Sequence, residues 1–61
     1  MTDEEFRALL TRALDLYDEE NPGEIRRVAS YREEGMMTLD EGVVAFMTDG
    51  TEFAVRILRH R

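Results

Sequence analysis

The chain has 61 residues, no cysteine and a formal net charge of −6 at pH 7. Its length allows a single domain spanning residues 1–61, and the absence of cysteine excludes disulfides and cysteine-based metal clusters. A chain this acidic is a poor general binder of nucleic acid, because neutralising phosphates needs a basic face.

The N-terminus and the hydropathy both argue against export or membrane insertion. The first residues, MTDEEF, are acidic where a signal peptide is basic. No segment reaches the ~18 apolar residues of a membrane span. We therefore expect a cytoplasmic protein without membrane contact, and the missing cysteines fit that compartment.

The segment TDEEFRALLTRALDLYDEENPG predicts an amphipathic helix over about residues 3–19. Thr2 and Glu5 have the spacing of a capping box, in which each side chain satisfies the other residue's backbone N–H. The Asn-Pro-Gly sequence at 21–23 ends the helix, because proline cannot continue it. Apolar residues at intervals of three and four predict one wide stripe that packs on the rest of the protein. The stripe comprises Phe6, Leu9, Leu10, Ala13, Leu14, Leu16 and Tyr17.

Residues 25–31 fit two interpretations. Their apolar positions suit a helix that begins at Pro22 and ends at Gly35. A strand is suited by the alternation of one set, Arg27, Ala29 and Tyr31, with another, Arg26, Val28, Ser30 and Arg32. We favour the strand, because a two-stranded ribbon alone is barely stable in water.

The strongest local signal is Asp49-Gly50, which lies between two alternating apolar segments. This pair predicts a two-residue type I′ turn, and such a turn sets Phe46 opposite Phe53. One face of the hairpin should then pack against the helix. That face carries Val44, Phe46, Phe53, Val55 and Ile57.

The opposite face of the hairpin has no further element to cover it, so we expect it to be the partner or dimer surface. Small exposed apolar residues are also common on surfaces without a partner, and that interpretation stays open. The expected surface consists of Val43, Ala45, Met47, Ala54, Arg56 and Leu58.

Together these elements predict an α+β fold. One N-terminal amphipathic helix packs on a three-stranded antiparallel β-meander, in the order α-β-β-β. The strands are expected over about residues 25–31, 42–48 and 52–59.

No residue pattern predicts catalysis, a metal site or a cofactor. His60 is the single histidine and Ser30 the single serine, and neither has a sequence context that predicts a nucleophile or a general base. The adjacent carboxylates at 33–34 and 40–41 lack the spacing of a calcium loop. The protein is therefore expected not to be an enzyme, and no small-molecule substrate is evident.

Two charged clusters have both a functional and a plain interpretation. The acidic end of the helix could bind a basic partner or form a solvated helix end. An arginine next to Tyr31 could stack on a base, as in single-strand binders, or the arginines could form salt links to the carboxylates. The possible acidic patch comprises Asp15, Asp18, Glu19 and Glu20, and the arginines considered are Arg26, Arg32 and Arg56.

Residues 26–57 resemble small uncharacterised proteins of high-GC actinobacteria and their phages. The resemblance rests on a Glu-x-Gly at 33–35, a Thr-x-Asp-x-Gly-Val-Val at 38–44 and an Asp-Gly-x-Glu-Phe at 49–53. That family has no assigned activity, so the resemblance implies no site residues. It fits a sequence whose eight basic residues are all arginine.

The sequence therefore favours a non-enzymatic protein–protein interaction module. The expected partner is a second copy, joined through the uncovered sheet face or an edge strand, or another protein. One alternative is an acidic regulator or inhibitor of a nucleic-acid-binding protein, encoded by a phage or by a bacterium. Another is a weak nucleic-acid-binding accessory protein, although nucleic acid is an unlikely partner for so acidic a chain.

Overall fold

The computed structural model describes residues 1–60 and confirms the α-β-β-β arrangement. Helix α1 spans Asp3–Glu20 and is followed by the strands β1, Ile25–Ser30, β2, Gly42–Met47, and β3, Glu52–Arg56. The strands form one antiparallel sheet in the order β1-β2-β3, so β1 and β3 are its two edges. Residues 25–30 are therefore a strand and not a helix.

Helix α1 begins at a complete capping box. The Glu5 N–H donates to the Thr2 hydroxyl (3.0 Å), and the Thr2 N–H donates to the Glu5 carboxylate (2.8 Å). At the other end the Asn21 N–H donates to the Tyr17 carbonyl (2.8 Å). Gly23 has a φ of +104°, so the chain turns through a backbone conformation that glycine adopts readily before β1 begins.

Acid should destabilise this fold through three exposed carboxylates. The Thr2 backbone N–H lowers the pKa of Glu5, the Ser30 backbone N–H lowers that of Glu33, and the hydroxyl and N–H of Thr51 lower that of Asp49. A carboxyl whose pKa is lower in the folded state stabilises the fold fully above its ordinary pKa, which is 4.5 for glutamate. That contribution is lost as the pH falls through the folded value.

We expect the urea midpoint to be constant from neutral pH down to about 5 and to fall below the ordinary carboxyl pKa. Glu5→Gln should reduce this acid sensitivity, because glutamine keeps the capping-box hydrogen bond but does not titrate. Unfolding curves recorded at several pH values test the effect. An unchanged acid dependence in Glu5→Gln would show that Glu5 does not contribute.

The predicted apolar stripe of α1 packs only in part. No residue of the helix is fully buried. The half-buried side of the helix includes Leu10 and Leu14 together with the polar residues Arg7, Thr11 and Asp18. The helix packs closest to β1 and β2, and within the described residues no Cα atom of α1 lies within 8 Å of a Cα atom of β3. Five members of the stripe, Phe6, Leu9, Ala13, Leu16 and Tyr17, are therefore left exposed.

The predicted hairpin register is wrong by one residue. Phe46 pairs with Glu52, Ala45 with Phe53 and Val43 with Val55. The connection is a three-residue loop, residues 48–50, closed by a hydrogen bond from the Met47 N–H to the Thr51 carbonyl (2.8 Å). Gly50 has a φ of +92°, which suits the last position of such a loop.

This shift moves the two phenylalanines to opposite faces of the sheet, because successive side chains of a strand alternate. Phe46 is buried (7% exposed), whereas Phe53 is 55% exposed. The expectation that both pack against the helix is therefore wrong. So is the expected exposure of Val43 and Ala45, which are 0% and 7% exposed.

We call the side of the sheet on which α1 lies the helix face. Ser30 of β1 belongs to this face and lines a cleft with Glu4 and Arg7 of the helix. The register and the strand alternation place the other members. They are Val28, Val43, Ala45, Phe53 and Val55.

The other side, the loop face, is covered in part by residues 31–41, whereas its β3 residues are exposed. Its buried cluster comprises Ala29, Tyr31, Val44 and Phe46. The Tyr31 ring lies directly over Gly42, so that a β-carbon on Gly42 would come within 2.5 Å of the ring. This approach fixes the loop on the sheet.

A β-bulge in β1 places two arginines on the loop face. The register shifts between Ile25 and Arg27, so Arg26 and Arg27 together oppose Phe46. Their guanidinium carbons lie 5.5 Å and 4.1 Å from the centre of the Phe46 ring. Phe46 is thus held between the sheet and two cations, a contact that stabilises a buried aromatic ring.

Candidate functional site

The free edge of β3 has an unbroken row of unpaired backbone groups. The hydrogen bonds from the Met47 N–H to the Thr51 carbonyl and from the Ile57 N–H to the Glu41 carbonyl set the pattern of the β2–β3 ladder. Odd-numbered residues of β3 therefore point their N–H and C=O groups at β2. The outward-pointing groups belong to Glu52, Ala54 and Arg56, and all five residues of the strand are exposed.

Large apolar side chains are exposed on α1 and along β3. We define the apolar surface as seven of them, which are between 43% and 64% exposed. Its members are Phe6, Leu9, Leu16, Tyr17, Phe53, Val55 and Leu58.

The helix and the end of β3 meet at an open apolar cleft of about 220 Å³. Phe6 lines this cleft with Ile57 and Leu58, which follow β3. Arg59 ties the same region to the helix start, because its guanidinium lies 3.2 Å from the Asp3 carboxylate and donates to the Met1 carbonyl (3.1 Å). The apolar side chains of the two elements therefore approach one another although α1 does not cover β3.

The apolar surface is large for a chain of this size. Aromatic side chains bury about 150–250 Å² each and leucine and valine somewhat less, so these seven half-exposed side chains leave on the order of 600 Å² of apolar area in water, distributed over β3 and more than one side of α1. The largest apolar patch on a typical monomeric protein is about 300–600 Å² and is often functional. The surface is therefore a candidate for burial against a partner.

Some members of the partner surface predicted from the sequence are buried in the structure, and others are exposed. Val43 and Ala45 are buried against α1 and Met47 is half-buried. Ala54 and Leu58 are exposed. The remaining member, Arg56, is exposed too, and its guanidinium lies 3.6 Å from the Asp40 carboxylate.

Sequence reasoning missed most of the apolar surface, including Phe6, Leu9 and Phe53. The signal was present in the helix, where the apolar stripe is too wide for one narrow sheet to cover. Phe53 and Val55 do lie on the predicted face toward the helix, and their exposure was missed because the sequence does not show how far α1 extends over the sheet.

The predicted acidic patch lies at the C-terminal half of α1. Asp15, Glu19 and Glu20 are exposed and Asp18 is half-buried. Asp15 and Glu19 line a shallow cleft with Arg12, so part of their charge is balanced nearby. These carboxylates lie apart from the β3 edge.

The Tyr31 ring, which the nucleic-acid alternative placed beside the arginines, is buried. Tyr31 is 7% exposed, and its ring packs on Gly42. Of the nearby arginines, Arg27 lies 3.1 Å from the Glu34 carboxylate and, with Arg26, over Phe46. The arginine side chains therefore stabilise the loop face.

The single serine has a structural contact. The Ser30 hydroxyl accepts from the Glu33 N–H (3.1 Å), and the Ser30 N–H donates to the Glu33 carboxylate (2.9 Å). Among the residues that the structure describes, no group of three or more histidine or acidic side chains could hold a metal ion. Within residues 1–60, no helix has the length and apolar character to cross a membrane.

In comparisons with known proteins, no family model, no curated protein and no solved structure matches this chain. The resemblance of residues 26–57 to small actinobacterial and phage proteins therefore stays a prediction.

Proposed function

We propose that this chain is a non-enzymatic interaction module that acts as a homodimer, with the apolar surface and the β3 edge as its contact region. The observation that carries the proposal is the exposure of Phe53 and Val55 on the helix face, beyond the reach of α1. A chain of 61 residues without disulfides has a small core and gains stability when association buries such side chains.

The exposed area favours a second copy as the partner. Two copies would expose roughly 1,200 Å² of apolar area in total, and the part beside β3 together with the backbone of both edges would be buried in the contact. A copy also brings its own unpaired β3 edge, so one contact would satisfy both edges and both apolar surfaces. The proposal includes the cytoplasmic location expected from the sequence.

Sedimentation equilibrium tests the proposal. The wild-type chain should show a mass that falls from twice 7.1 kDa to 7.1 kDa on dilution. Phe53→Gln and Leu58→Gln should each weaken the dimer by at least about tenfold, because each substitution removes an apolar contact from both copies. The helical circular dichroism of each variant should be retained, since both side chains are exposed.

Leu39→Gln is the matched control. Leu39 is 105% exposed and lies in the loop between β1 and β2, outside the apolar surface. This variant should dimerise like the wild type. A mass that stays at 7.1 kDa up to millimolar concentration, or an equal effect of Leu39→Gln and Leu58→Gln, would contradict the proposal.

The exposed carboxylates of the acidic patch favour a second candidate, regulation of a basic partner. Asp15 and Glu19 line a different cleft from Phe6, and they share it with Leu16 of the apolar surface. Neutralising Asp15, Glu19 and Glu20 together should abolish salt-sensitive binding to a nucleic-acid-binding partner recovered from the host. Binding that survives this change would exclude the patch as the contact.

A further inference from the structure

The two edges of the sheet differ in how well they can receive another strand. Strand β1 has a β-bulge at its start and turns two arginines toward Phe46. A bulge disrupts the regular row of hydrogen-bonding groups and is a common protection of edge strands. Strand β3 is paired to β2 without a bulge and contains no proline. The β3 edge is therefore the edge of the sheet that can pair with another strand.

We propose that the β3 strands of two copies pair with each other in antiparallel orientation, with Ala54 opposite Ala54 of the second copy. The pairing joins two three-stranded sheets into one sheet of six strands, related by a two-fold axis through Ala54. It rests on the homodimer proposed above and specifies the contact and its register.

The hydrogen-bonding groups select registers in which outward-pointing residues of the two copies lie opposite each other. Antiparallel partners exchange two hydrogen bonds when both residues point their N–H and C=O groups at each other. On β3 the outward-pointing residues are Glu52, Ala54 and Arg56. Pairing about Ala54 sets Glu52 opposite Arg56 of the second copy and Arg56 opposite Glu52. Each of the three outward-pointing residues then lies opposite an outward-pointing residue of the second copy, with which it can exchange hydrogen bonds.

The charges select this register among its neighbours. Pairing about Ala54 brings each glutamate opposite an arginine on the loop face, which is a favourable cross-strand pair. A slip that centres the pairing on Phe53 would instead set Arg56 opposite Gly50 in the hairpin loop. A slip to Val55 would set Glu52 opposite Leu58. Only the Ala54-centred register gives both charged residues an opposite charge.

The apolar side chains support the same pairing. On the helix face Phe53 lies opposite Val55 of the second copy, and aromatic residues pair favourably with β-branched ones across strands. Both copies keep their helices on one side of the combined sheet. The uncovered halves of the two helix faces then adjoin across the axis. The side chains that α1 leaves exposed thus form one continuous apolar area of the sheet between the two helices.

Disulfide trapping tests the register. Directly opposite residues that exchange hydrogen bonds have Cα atoms about 5.5 Å apart, within the range that a disulfide spans. Ala54→Cys should therefore cross-link the two copies in a glutathione redox buffer. The chain has no native cysteine, so the introduced thiol is the only one present.

Val55→Cys is the matched control on the same strand. In the proposed register the two Val55 residues are diagonal neighbours about 7–8 Å apart, beyond the usual disulfide distance. This variant should stay uncross-linked at the same concentration. Cross-linking of Val55→Cys in preference to Ala54→Cys would overturn the register. A dimeric mass with neither cross-link would overturn strand pairing but leave the homodimer, whereas a monomeric mass for the wild type would overturn both.

A charge reversal provides an independent test. Glu52→Arg changes the net charge of each copy from −6 to −4, since one negative charge is replaced by one positive charge. Reduced repulsion between two acidic chains would by itself strengthen association. The proposed register gives the opposite result, about tenfold weaker association, because two arginine pairs now face each other across the axis.

Glu19→Arg makes the same change of charge at an exposed position of α1 away from β3. It should leave the dimer as strong as the wild type or stronger. Equal strengthening by Glu52→Arg and Glu19→Arg would overturn the proposed pairing of Glu52 with Arg56.

Discussion

Phe46→Ala is expected to unfold the protein, whereas Phe53→Ala is expected to leave each subunit folded. Replacing a buried phenylalanine by alanine costs about 3–5 kcal/mol. A chain of this length has roughly 3–9 kcal/mol of total stability, at about 0.05–0.15 kcal/mol per residue. Phe46 is 7% exposed and also supports Arg26 and Arg27, so its removal consumes most of the stability.

Phe53 differs from Phe46 in exposure. Its side chain is 55% exposed and lies on the part of the sheet that α1 does not cover. Its loss should weaken association and cost little within one subunit. Urea denaturation followed by circular dichroism, at a concentration where the wild type is monomeric, separates the two effects. If Phe53→Ala unfolded the chain while Phe46→Ala did not, the face assignment would be inverted.

The second large effect is expected for Gly42→Ala. A β-carbon at this position would lie 2.5 Å from two atoms of the Tyr31 ring and 2.6 Å from the Val55 carbonyl oxygen. The ring is buried and the carbonyl belongs to the neighbouring strand, so neither can move without displacing the loop or β3. Overpacking of this kind costs about 1–3 kcal/mol, and the backbone obstruction places Gly42→Ala near the upper value.

Gly50→Ala is the control for Gly42→Ala. Gly50 has nothing within 4 Å of its β-position, and its φ of +92° makes alanine unfavourable through backbone conformation alone. The cost should be about 1–2 kcal/mol. Free energies of unfolding from urea titrations should therefore rank Gly42→Ala as the more damaging change. A Gly42→Ala variant as stable as the wild type would mean that the loop does not pack on β2 as described.

The elements themselves could be predicted from the sequence, because each has a local cause. The Thr2–Glu5 capping box begins α1 where the spacing indicates, and the Asn-Pro-Gly sequence ends it. The strand character of residues 25–30 followed from the need of the hairpin for a third strand. The helix arguments depend on neighbouring residues alone, whereas the argument for residues 25–30 depends on the hairpin farther along the chain.

The register could not be predicted from Asp49-Gly50, because this pair fits two kinds of hairpin loop. Glycine suits the second position of a type I′ turn and also the left-handed last position of a three-residue loop. The structure has the longer loop, in which the Asp49 carboxylate accepts from the Thr51 N–H (2.9 Å). A difference of one residue exchanges the two faces of β2 relative to β3, so Val43 and Ala45 replace Val44 and Phe46 beside Phe53 and Val55 on the helix face.

Two further features, the turn after β1 and the β-bulge in β1, differ in whether the sequence could have predicted them. Ser30 and Glu33 have the spacing of a capping box, and this signal could have predicted the turn that brings Tyr31 onto the loop face. The bulge at Arg26 has no sequence signature of this kind. It follows from how β1 fits against Phe46 of β2, which is a tertiary constraint.

Amide hydrogen exchange at β3 tests most directly whether a second copy completes this edge. In one subunit the amides of Phe53 and Val55 are bonded to β2, whereas those of Glu52, Ala54 and Arg56 point outward. At concentrations where the protein is dimeric, we expect the Ala54 amide to become protected and to lose that protection on dilution. An Ala54 amide that exchanges at the unprotected rate in a sample of dimeric mass would contradict the account.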